Sequence, residues 1–132
     1  MKAIDTNVLV RYLVQDDPVQ GRKAAAFIEA AGAAGDQILV GNIVLCELVW
    51  VLDSAYGYSK SEIAGSIEKL LQTSTFQFEA RDISRASLEE YRAAAKVDFA
   101  DCLLGRLHKA IGSEVTMTFD TTLRKLSTFQ LL

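Results

Sequence analysis

Five carboxylates stand out by where they fall in the chain: Asp5, Glu47, Asp98, Asp101 and Asp120. Asp5 and Asp120 each sit where an apolar stretch of strand character gives way to a helix start. In a parallel α/β sheet such positions share the edge at which ligands bind. Asp98 and Asp101 lie at the start of a helix beginning near Phe99, and a spacing of three puts them on one side of its first turn. Glu47 interrupts an apolar run from Ile43 to Leu52, where an unpaired ionised carboxylate is costly. Carboxylates that converge on one crevice repel one another, and their pKa values rise unless cations compensate. A hard divalent cation does this. With neither thiolate nor imidazole in the set, oxygen ligands suit Mg²⁺ or Mn²⁺. Mg²⁺ also keeps bound waters, which gives it a nucleophile to offer.

Each acid has a plainer explanation as well. Asp5 and Asp120 are suitable N-caps, and Asp98 with Asp101 imitates a capping box. Glu47 can be neutralised by a basic partner, and Arg11 is the candidate.

The elements that must position these acids alternate. Lys2-Ala3-Ile4 reads as a strand, and Thr6 to Val14 carries Val8, Leu9, Tyr12 and Leu13 at helical spacing. Asp16-Asp17-Pro18 stops that helix and starts another, which Gly32 and Gly35 close. Gln37 to Val40 is a second strand. Asn42 is placed to cap the run from Ile43 to Leu52, which is apolar in every direction around its axis and is therefore expected to be buried, with Trp50 in the core. Tyr56-Gly57-Tyr58 ends that helix, its tyrosines also expected in the core, and Ser59 to Glu62 opens the next with the spacing of a capping box. Phe76-Gln77-Phe78 forms a third strand, followed by helices over Ser84 to Ala95 and Phe99 to Ile111, the latter ended by Gly112. Val115 to Phe119 is a fourth strand, and Thr121 to Leu126 a short helix before an apolar tail. Strands separated by helices call for an α/β fold with a mainly parallel sheet covered on both faces.

Composition sets the outer limits. At 132 residues, half of them hydrophobic, the chain has enough apolar surface for one compact domain over 1–132, and no linker, repeat or low-complexity tract divides it. The opening residues lack the long apolar segment of a signal peptide, and the run from Ile43 to Leu52 is far short of the roughly 20 residues that span a bilayer. A cytoplasmic protein without a membrane segment is expected. Cys46 and Cys102 read as reduced core thiols, and His108 as a surface helix residue. The net charge of −3 argues against a polyanionic partner only superficially, because setting five site acids aside leaves 12 acidic residues against 14 basic ones.

Ile4-Asp5-Thr6-Asn7-Val8-Leu9, Glu47 in the second strand–helix unit, Asp98-Phe99-Ala100-Asp101 and Thr118-Phe119-Asp120 resemble, in order along nearly the whole chain, the four acidic signatures of PIN domains. The compact length and the opening D-T-N-V-L-V-R-Y-L further resemble VapC-type toxins of bacterial toxin–antitoxin pairs. The resemblance implies a single PIN-like α/β/α sandwich that acts as a Mg²⁺- or Mn²⁺-dependent endoribonuclease on RNA. It also implies a homodimer held inactive by a cognate antitoxin. By motif position Asp5, Glu47, Asp101 and Asp120 match the acidic tetrad, and Asp98 an additional nearby acid. Asp5 and Asp101 would then hold the metal, with Glu47 and Asp120 completing the shell, orienting waters or positioning a second ion; either Asp98 or Asp101 could be the closer ligand. Thr6, Asn7 and Thr118 would support them, and Arg11 would contact RNA or antitoxin.

Other α/β classes fit less well. A phosphohydrolase with an Asp nucleophile after its first strand would want a second acid at position 7, which is Asn7, and a receiver domain would want an acidic pair there. A non-catalytic PIN-like module that binds RNA or protein is the alternative, since fold does not establish function. The intact set of acids argues against it.

Overall fold

A computed structural model describes residues 1–132. The chain forms two compact units, Met1–Arg81 and Asp82–Leu132.

The first unit holds β1 (Lys2–Ala3), α1 (Thr6–Val14), α2 (Pro18–Ala34), β2 (Ile38–Val40), α3 (Asn42–Ser54), α4 (Lys60–Gln72) and β3 (Phe76–Phe78). Its strands pair in the order β1-β2-β3, all parallel, with Ala3 opposite Leu39 and Val40 opposite Phe78. Parallel pairing brings the three carboxyl-terminal strand ends to one edge, where Asp5, Gly41 and Glu79 follow. The helices start where local chemistry dictates. Asp17 accepts the N–H groups of Val19 and Gln20, with Pro18 just inside α2, and Ser59 with Glu62 forms the capping box expected for α4. Leu9, Leu45, Leu48, Leu52, Ile67, Leu70 and Phe76 are fully buried, and Phe76 packs edge-on against Tyr12 and Phe78. Arg81 fastens the end of this unit, donating to the carbonyls of Leu71 and Phe76 while its guanidinium lies over the Phe78 ring.

The second unit holds most of α5 (Arg81–Ala93), then α6 (Phe99–Ile111), β4 (Thr116–Thr118), a single 3₁₀ turn η1 (Thr121–Lys125) and β5 (Phe129–Leu131). β4 and β5 pair in parallel. Tyr91 on α5 meets Phe99 on α6 edge-to-face with ring centroids 6.0 Å apart. His108 is not a free surface residue as expected. It is half-buried, and its Nδ1 lies 2.9 Å from Thr116 Oγ1, tying α6 to β4.

Three further expectations are corrected. The apolar tail contains the strand β5, which pairs with β4. The helix expected from Ser84 starts three residues earlier, at Arg81. Most consequentially, α3 is not buried all round: Leu45, Leu48 and Leu52 form its inner face, whereas Ile43 and Trp50 are 74% and 69% exposed and Glu47 lies exposed between them. The neighbours α1 and α4 cover only one side of α3, however apolar it is. Tyr56 and Tyr58 are half-buried.

Gly105 on α6 is where the second unit is tightest, since a Cβ there would run into Thr128 and come within 2.8 Å of Phe129 Cε2. Gly105→Ala is expected to destabilise the chain by about 1–3 kcal/mol through overpacking, despite alanine's better helix propensity. Urea unfolding checks this, and unchanged or raised stability would mean that α6 does not press on β5 as described.

Candidate active site

In the first unit, Asp5 is the N-cap of α1, and its Oδ1 accepts the N–H of Val8 at 3.1 Å. Thr6, the first residue of that helix, is buried and donates its hydroxyl to Glu47 Oε2 at 3.0 Å. The two acids are thus linked through adjacent residues, and Glu47 is oriented by a hydroxyl and not by an arginine. Arg11, the expected partner of Glu47, instead donates to Asp16 Oδ1 at 3.1 Å and Gln20 Oε1 at 2.8 Å, and its Nη1 lies 3.4 Å from Tyr56 Oη. The Tyr56 hydroxyl completes this network on Asp16 and holds that carboxyl below the ordinary range. A groove of about 700 Å³ opens beside Asp5, its walls including Asn7, Val8, Arg11, Lys23 and Phe27.

One acid of this unit escaped the sequence reasoning. Glu79, directly after β3, sends Oε2 to the N–H of Asn42 at 2.8 Å. Asn42 does not cap α3 as expected: it is the first helical residue, the N-cap is Gly41, and α3 has no side-chain cap of its own. The available signal was an acid immediately after a strand, the same position that singled out Asp5 and Asp120.

In the second unit, Asp120 is the N-cap of η1. Its Oδ1 accepts from Thr122 N at 2.9 Å and Thr122 Oγ1 at 2.7 Å, which pulls its pKa below the ordinary carboxylate value. Thr118 Oγ1 accepts the N–H of Asp120 at 3.0 Å. Asp98 occupies the N-cap position of α6 but makes no side-chain cap bond, so the capping box that Asp98 and Asp101 could have formed is absent. Asp101 is half-buried, and its pKa is raised first by burial and then by the charges of Asp98 and Asp120.

Carboxylate donors with neighbouring like charge fit a hard divalent cation. No three His, Cys, Asp or Glu side chains are drawn close enough together to make a finished coordination sphere, so the fit lies in the donor chemistry.

A profile of the PIN domain family matches residues 2–128. The chain belongs to the PIN domain family. All five candidate acids lie inside the PIN match, which runs through both units. The chain is also similar to a VapC ribonuclease of Aquifex aeolicus (strain VF5), with 26% identity over 126 residues, 96% of this chain and 92% of that protein. No solved structure matches it. No helix of this PIN chain is long and apolar enough to cross a membrane.

The opposite shifts of Asp101 and Asp120 separate their structural roles in metal-free protein. A carboxyl raised in the fold opposes folding once ionised: its penalty is absent below the unfolded-chain value and complete above the folded one. Asp101→Asn is therefore expected to melt at an equal or higher temperature than wild type at neutral pH, with the difference closing as the pH falls through Asp101's raised folded value. A lowered carboxyl stabilises above the unfolded-chain value and loses this as the pH falls through the folded one, so Asp120→Ala should melt lower at neutral pH. Calorimetry in EDTA across pH checks both. A clear fall in melting temperature for Asp101→Asn would show that its charge is not crowded.

Proposed function

We propose that this chain is an endoribonuclease that hydrolyses RNA phosphodiester bonds with Mg²⁺ or Mn²⁺, and that it is the toxin of a VapBC-type toxin–antitoxin pair acting in the cytoplasm. The observation that carries the proposal is the PIN family match across residues 2–128 with every acid of the set in place. The similarity over 96% of the chain to a protein named VapC ribonuclease supports RNA as substrate and a cognate antitoxin as partner. On this proposal the 132 residues act as one PIN domain.

Asp5 and Asp101 are the residues we assign to hold the cation, with Glu47 and Asp120 completing its shell or orienting waters; Asp98 adds negative charge beside Asp101. A bound divalent ion lowers the pKa of an attacking water and stabilises charge on the scissile phosphodiester. The protein's own contribution is orientation. The Val8 N–H fixes Asp5, the Thr6 hydroxyl fixes Glu47, and Thr122 fixes Asp120, while Thr118 holds the Asp120 backbone. Asn7 and Lys23 in the groove beside Asp5 offer an amide and a cation to the RNA backbone. Arg11 is reserved by Asp16 and Gln20, so its role is to hold the groove wall.

Cleavage of mixed RNA is expected to stop in excess EDTA and to return with Mg²⁺ or Mn²⁺. Asp5→Asn, Glu47→Gln, Asp101→Asn and Asp120→Asn should each lower it by about 100-fold or more, the scale on which one preorganised electrostatic group acts. Undiminished cleavage in EDTA would sink the mechanism, and an inert wild type that still binds RNA would favour a non-catalytic module.

The same proposal includes a homodimer, for which the exposed Ile43 and Trp50, two turns apart on α3, supply an apolar contact. Trp50→Glu should then shift the species seen by light scattering toward monomer without unfolding it. A wild type that is monomeric at micromolar concentration would contradict the dimer.

A further inference from the structure

Among the four helices of the first unit, α3 alone borrows the acceptor for its start. Asp5, Asp17 and Ser59 each cap the helix they precede, with acceptor and donor two or three residues apart. At α3 the N-cap is Gly41, which has no side chain, and the N–H of Asn42 is taken by Glu79, 37 residues further along. The backbone reinforces the link, because the Glu79 N–H donates to the carbonyl of Val40 at 3.1 Å, the last residue of β2. A local cap holds a helix to itself, whereas this one holds the first turn of α3 to the end of β3. Glu47 lies in the second turn of α3, and its Oε2 meets Thr6 at the start of α1. α3 is therefore fixed at two points, by Glu79 at its first residue and by Thr6 at Glu47.

We propose that Glu79 is a positioning residue for Glu47: by anchoring the N-terminus of α3 to β3, it sets where the Glu47 carboxylate stands. Glu79 takes no part in the chemistry itself, and what matters is its acceptor oxygen at that reach. The inference rests on the nuclease function proposed above, and it names a residue that the family's acidic set does not include. Misplacing a catalytic group by an ångström has consequences out of proportion to the local contact, so the effect is expected in turnover.

Steady-state cleavage of an RNA that the wild type cuts, in Mg²⁺, tests this with Glu79→Gln, Glu79→Ala, Glu79→Asp, Glu47→Gln and the double variant Glu47→Gln/Glu79→Ala. Glu79→Gln keeps an acceptor at the same reach and should stay within about twofold of wild type. Glu79→Ala, and to a smaller degree the shortened Glu79→Asp, should lower kcat by about tenfold with KM nearly unchanged. In the Glu47→Gln background Glu79→Ala should do no further harm, since its effect runs through Glu47. Amide hydrogen exchange supplies a readout independent of activity: Glu79→Ala should speed exchange in the first turn of α3 and leave α4 protected. An unchanged kcat in Glu79→Ala, losses that multiply in the double variant, Glu79→Gln as damaged as Glu79→Ala, or unchanged exchange in α3 would each overturn the proposal. If the wild type cuts no RNA in Mg²⁺, the nuclease function fails instead, and the exchange result still decides whether Glu79 anchors α3; if Glu47→Gln cleaves like wild type, Glu47 is not a catalytic group and the proposal falls with it.

Discussion

A helix that begins directly after a parallel strand brings its first N–H groups to the strand's carboxyl end with no acceptor of their own. This chain meets that requirement with carboxylates at three such passages. Asp5 serves the passage from β1 to α1, Glu79 the passage from β2 to α3, and Asp120 the passage from β4 to η1. The strands are only two or three residues long, so their pairing alone does little to fix the helix starts beyond them. Acidic side chains at the strand ends are thus demanded by the backbone before any chemistry is considered. Negative charge at a helix start is also favoured by the helix dipole.

Asp98 and Asp101 obey a different logic. Asp98 stands at an N-cap without capping, and Asp101 is half-buried among like charges. Asp120 and Asp101 are the same residue type in the same unit, yet the threonine hydrogen bonds lower one while burial and repulsion raise the other. A purely structural helix start would have used the capping box that these residues could form. Its absence leaves Asp101 among like charges that a bound cation would relieve on the proposed function.

The sequence made the element order legible, because a period of two or of 3.6 is written into runs such as Phe76 to Phe78 and Ile63 to Leu71. The four acidic signatures made the family legible, and the match over residues 2–128 bears that out. What could not be read was which side of an apolar helix meets the core. α3 offers hydrophobic residues all round, and only tertiary packing decides that Leu45, Leu48 and Leu52 turn in while Ile43 and Trp50 turn out. Long-range partners were equally hidden. Charge alone points Glu47 to Arg11, whereas their actual partners, Thr6 and Asp16, lie where the packed helices put them. β5, Phe129-Gln130-Leu131, carries the same apolar–polar–apolar order as β3, but three residues inside an apolar tail are too few for a period to mark, and its partner β4 defines it. Glu79 escaped because the amide it serves is distant in sequence.

Read from sequence, cap and ligand are rival explanations for Asp5 and Asp120; on the proposed function they are compatible. Asp5 and Asp120 each use Oδ1 for hydrogen bonds within the protein and Glu47 uses Oε2, and the other oxygen of each carboxylate makes no such bond. A carboxylate held by one oxygen has the direction of the other already determined, so the entropy of orienting it is lost during folding and not on meeting a ligand. On the proposed function, capping is the means by which Asp5 and Asp120 are preorganised, and the Thr6 hydroxyl does the same for Glu47. The same geometry explains why amide substitution separates the two roles where alanine cannot: Asn keeps an acceptor oxygen for the helix start while removing the charge, whereas Ala removes both at once.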